Sequence, residues 1–199
     1  MRFRIYLLCL ILAAALAACK KSETYNESTT ATTSSTDTYA STTTDMTATV
    51  AAAPIPEKDK EFVINAGKGG KAEVEVATDA LQHATNADVK AFAQKIVDDH
   101  TKANDKLAAI ATSKDVTIPS EMQGEMKQVK ERLLKLTGKS FDQAFVKQMV
   151  DDHTATIAKF EDESANGTDA EVKAFVDEAL PTLRDHLKMA QDLWAKIGK

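Results

Sequence analysis

The sequence predicts an all-α fold of four long helices packed as two antiparallel pairs. Apolar residues recur in steps of three and four along four stretches, the spacing of a helix face buried in a bundle. No stretch sustains the period-two alternation of a strand. Two short segments are also near-duplicated. VDDHT occurs at 97–101 and 150–154, and TNADVKAF at 85–92 is matched by TDAEVKAF at 168–175. Such internal resemblance is expected of two related helix pairs.

In chain order, residues 1–18 come first and read as an export signal. Arg2 and Arg4 give a basic start, and an apolar run from Ile5 to Ala18 follows. That run falls short of the roughly 20 apolar residues of a membrane span. Leu16-Ala17-Ala18-Cys19 resembles a bacterial lipobox, whose cysteine takes lipid and becomes the first mature residue. The second cysteine, Cys9, is lost with the signal, so Cys19 is left without a disulfide partner. Lys20 rather than Asp follows it, which by likeness to Gram-negative lipoproteins directs the anchor to the outer membrane, facing the periplasm. Residues 19–56 are dominated by Thr, Ser and Ala and lack the apolar residues that offset ordering entropy. They read as a disordered tether with a reach of roughly 30–35 Å. Loss of Arg2 and Arg4 leaves 25 less two basic residues against 30 acidic ones, a formal charge of −7. With no Lys/Arg cluster, nucleic acid is excluded as a partner.

Residues 57–199 form the predicted helical domain. The first helix, about 58–82, carries Phe62, Ala66, Gly69, Glu73, Val76 and Ala80 on one stripe. On the second, about 87–112, the stripe is Val89, Ala93, Ile96, His100, Ala103 and Leu107. The third, about 140–165, presents Val146, Met149, His153, Ile157 and Phe160. The fourth, about 170–197, presents Val172, Val176, Leu183, His186, Ala190 and Leu193. Thr85 and Thr168, each three residues before an acid, predict capping boxes at the starts of the second and fourth helices. The long connection between the second and third helices predicts a further helix over 120–136, about 25 Å long at 1.5 Å per residue. A crossover of that length lets those two helices run parallel, which is the ferritin-like topology.

FVINAGKGGKAEVEVA, VKAFAQKIVDDHTKANDKL, FDQAFVKQMVDDHTATIAKF and VKAFVDEALPTLRDHLKMAQDL together resemble the bacterial domain-of-unknown-function family 4142. That family is described as outer-membrane proteins with a ferritin-like fold. The resemblance covers nearly all of 60–195 and implies fold and envelope location, with no established reaction.

Each stripe holds one metal-ligating residue type: Glu73, His100, His153 and His186. Asp99, Asp152 and Asp185 adjoin the three histidines. Two chemistries suit this pattern. One is a buried polar layer in which an Asp on one helix accepts a ring N–H from another and fixes register. The other is a divalent-metal site of imidazoles and carboxylates for zinc, iron or copper. Ferritin-like di-iron enzymes use Glu-x-x-His, but Val97, Val150 and Leu183 stand three residues before these histidines. That site therefore does not transfer. No catalytic residue is assigned, because no nucleophile–base–acid order is present. The sequence favours a membrane-anchored, non-enzymatic envelope module bound to the membrane through lipidated Cys19 and to an unidentified envelope component. A metal-binding or metal-dependent redox protein is the second reading.

Overall fold

The computed structural model describes residues 54–122 and 124–199. The signal, Cys19 and nearly all of the tether lie outside the described residues. Five helices follow in order: α1 Glu57–His83, α2 Ala87–Ser113, α3 Glu125–Leu133, α4 Gly138–Asn166 and α5 Ala170–Ile197. No strand occurs among the described residues. None of these helices is long and apolar enough to cross a membrane.

Short connections at 84–86 and 167–169 make α1/α2 and α4/α5 antiparallel pairs, and α2 packs on α5 while α1 packs on α4. Two buried aspartates tie the pairs together. Asp142, near the start of α4, accepts from Thr85 N (2.9 Å), Thr85 Oγ1 (2.7 Å) and Asn86 N (3.0 Å) at the start of α2. Asp59 does the same from the start of α1, accepting from Thr168 N (2.8 Å), Thr168 Oγ1 (3.0 Å) and Asp169 N (3.4 Å). These bonds put the starts of α2 and α4 at one end of the bundle and those of α1 and α5 at the other. So α2 and α4 run parallel, as the ferritin-like topology requires. The predicted threonine caps are displaced by one residue. Asn86 and Asp169 are the N-caps, each accepting from two amides of the first turn, and the threonines serve the cross-pair aspartates instead.

Glu163 adds a second carboxyl at the Asp59 corner. It is buried, and desolvation together with Asp59 pushes its pKa up to about 7. Gly167 leaves room for both acids, since a Cβ there would lie 2.6 Å from Glu163 Oε1 and 2.9 Å from Asp59 Oδ1.

The crossover differs from expectation. Its helix spans only Glu125–Leu133, roughly 13 Å at 1.5 Å per residue, rather than 120–136. Gly124 stands before it with φ 63°, a left-handed conformation that cannot continue a helix N-terminally. The stretch from Val116 to Pro119 lies along α1 instead. Ile118 fills a notch above Gly67, where a Cβ would approach it to 2.7 Å. Lys71 Nζ donates to the Pro119 carbonyl (3.3 Å), and Lys130 pairs with Glu75 and Asp79 at 3.2 Å each. The crossover thereby returns the chain along the length of α1.

The interior divides into two apolar clusters. Phe92, Ile96, Phe141, Phe145 and Met149 belong to one, and Val63, Leu107, Ile157, Phe160 and Leu183 to the other. Every histidine of the predicted stripe falls between them: His100 lies between Ile96 and Leu107, His153 between Met149 and Ile157, and His186 between Leu183 and Ala190.

Candidate metal centre

Four helices deliver one polar side chain each to the gap between these clusters. His153 and His186 are fully buried, His100 is 7 % exposed and Glu73 5 %. The ring centroids lie 5.3–5.6 Å apart, with His100 stacked on His186 and His153 edge-on to both. One ring nitrogen from each of the three lies within 4.8 Å of the other two. His83 is exposed at the end of α1, outside this group.

The outer nitrogen of each ring faces an acceptor. His153 Nδ1 donates to the Met149 carbonyl at 3.0 Å, one turn back on α4. His186 Nε2 donates to Asp99 Oδ2 at 3.0 Å, and Asp99 also takes Lys95 Nζ at 2.7 Å. His100 Nδ1 lies 3.1 Å from Glu73 Oε2. A carbonyl never donates, so the proton of a neutral His153 sits on Nδ1. Hydrogen bonds from Lys95 and His186 hold Asp99 below the usual carboxylate range despite its partial burial, so the proton of His186 sits on Nε2. That leaves His153 Nε2 and His186 Nδ1 both as bare lone pairs, facing each other at 3.3 Å. Beside them, His100 Nε2 is buried with no hydrogen-bond partner.

Two lone pairs at that distance repel unless a cation stands between them, either a proton or a metal ion. Burial works against the proton, lowering all three histidines and His153 to about 4. The spacing of that pair suits an ion. Nitrogens each about 2.0–2.1 Å from one metal in tetrahedral or trigonal geometry stand roughly 3.3–3.6 Å apart. The outer acceptors are also of the kind that orient metal-bound imidazoles and raise their basicity.

The carboxylates divide. Glu73 and Asp99 are in the layer as expected. Asp152, on the α1 side of α4, does not touch a histidine; it accepts from Gln148 Nε2 at 2.9 Å, and its Oδ2 is buried without a partner. Asp185 is exposed on α5 and takes no part in the layer, which corrects its place in the predicted ligand set. Two contributors escaped the sequence reading. Lys95 was legible as an i, i+4 partner of Asp99 on one helix face, whereas the Met149 carbonyl leaves no sequence signal.

The model of DUF4142, a domain of unknown function, matches residues 44–193. The chain belongs to this family. No curated protein matches it. Among solved structures, this DUF4142 chain resembles a DUF305 fragment from Deinococcus radiodurans (TM-score 0.65, 13 % identity, covering 72 % of this chain and 99 % of that one). A DUF305 protein from Streptomyces coelicolor, described as a secreted protein, gives TM-score 0.62 at 14 % identity over 71 % and 94 % of the two chains. CopM, solved in a Cu(I)-bound form, gives 0.59 at 17 % identity over 69 % and 96 %. At these identities the likeness is one of fold.

Proposed function

We propose that this chain is a metal-binding module of the cell envelope that holds one transition-metal ion through His100, His153 and His186. The observation that carries this is the 3.3 Å approach of two imidazole nitrogens whose protons are both committed outward. The competing reading, a purely structural polar layer, needs an imidazolium at a site where burial disfavours one. Imidazole donors suit copper and zinc. Charge favours cuprous copper: the imidazoles are neutral, Asp99 is matched by Lys95, and Glu73 is the remaining carboxylate of the layer. A monovalent ion with ionised Glu73 leaves the layer neutral, whereas a divalent ion leaves it at +1. That CopM was solved with Cu(I) supports copper as the first ion to test.

Anchorage is the second part of the proposal. The signal pattern of residues 1–18 and the lipobox-like Leu16–Cys19 support lipidation at Cys19 and an address at the outer membrane. Metal content distinguishes the readings of the layer. Anaerobic titration of the purified chain with Cu(I), against a competing chelator, is expected to saturate at one equivalent, and binding should stabilise the fold by mass action. Absence of saturable binding of either Cu(I) or Zn(II) would leave the structural layer as the better account.

A further inference from the structure

The metal layer lies between two apolar clusters and borders open space along one edge. A cavity of about 990 Å³ is lined by α1, α2, α4, α5 and the crossover. It reaches the layer at one edge: Glu73, Asp99 and His100 line it, whereas His153 and His186 do not. His100 therefore stands between open space and the facing pair His153/His186, with its Nε2 buried and unpartnered. Asp152 Oδ2, also buried and unpartnered, lines the same cavity. Asp151 and Glu125 line this cavity as well.

We propose that this cavity is the path by which the ion enters and leaves, with Asp152 and Glu73 capturing the cation and His100 passing it to His153 and His186. The inference rests on the metal-binding reading above and adds that the ion is exchangeable cargo. A structural ion has no need of an open approach. This one has a wall of acids leading to the least buried of its three ligands. Gly69 lines that path, and a Cβ there meets nothing within 4 Å.

A gate changes rates in both directions without changing the equilibrium, and that separates it from a ligand. Gly69→Phe projects a ring into open space from a half-buried position on α1, where a Cβ meets nothing within 4 Å, so the fold tolerates it. In stopped-flow measurements on the full chain with Zn(II) and a chromogenic chelator, Gly69→Phe is expected to slow uptake and chelator-driven release together. The expected slowing is about tenfold each, with affinity held within about twofold. Asp152→Asn should slow uptake several-fold while one equivalent still binds. Unchanged rates in both variants would overturn the route and leave the metal site standing. Failure of the wild-type chain to bind Zn(II) or Cu(I) would instead remove the reading on which the route depends.

Discussion

His153→Ala is expected to eliminate the stabilisation that metal binding gives the wild-type chain. At a free-ion concentration about 100 times Kd, the wild-type chain gains about 2.7 kcal/mol from binding, and the variant is expected to gain essentially none. His153 is the ring whose tautomer is fixed most firmly, because its outer partner is a carbonyl. Its loss removes one of the two facing lone pairs that define the site. The metal-free variant is also destabilised, since a fully buried ring leaves a cavity. The informative quantity is thus the difference between loaded and metal-free forms of each protein, read by chemical denaturation. His83→Ala, at an exposed position on α1, should retain the full gain. If His153→Ala keeps that gain, His153 is not a ligand.

Asp142→Ala is expected to cost about 3 kcal/mol of folding stability with or without metal. One carboxylate there accepts from two backbone amides and a hydroxyl, and replacing it strands those donors at a buried junction. Asp142→Asn should recover part of the loss, since one amide oxygen still accepts. Equilibrium urea unfolding of the metal-free chain reads both variants. A loss below about 1 kcal/mol would mean that water replaces the carboxylate and that the α4 start does not lock the α2 start.

The four long helices were legible because their apolar residues keep a helical period for seven turns, and the observed ends differ from the expected ones by no more than two residues. Crossover structure was not. Met122, Met126, Val129, Leu133 and Leu136 keep the same period through Gly124, yet only Glu125–Leu133 is helical. The preceding residues are not helical and pack through Ile118 on α1 at Gly67, a contact that no local pattern encodes. His100, His153 and His186 were legible as the polar members of apolar stripes. Their neighbours were not equally so. Residues adjacent on a helix diverge by about 100°, so an acid beside a histidine serves whichever helix lies on that side. For Asp99 that helix is α5, which offers His186; Asp152 meets only Gln148 of its own helix; Asp185 faces solvent. The same pentapeptide therefore has two roles in two settings. Tautomers were likewise beyond the sequence, because they depend on what each outer nitrogen meets.

X-ray absorption at the copper edge of the Cu(I)-loaded chain tests the central claim most directly. Three nitrogen scatterers at about 2.0 Å are expected, with the outer-shell pattern of imidazole, and one scatterer should be lost in His100→Ala. A centre with fewer than two imidazoles, or one dominated by sulfur, would contradict it, as would a spectrum that His100→Ala leaves unchanged.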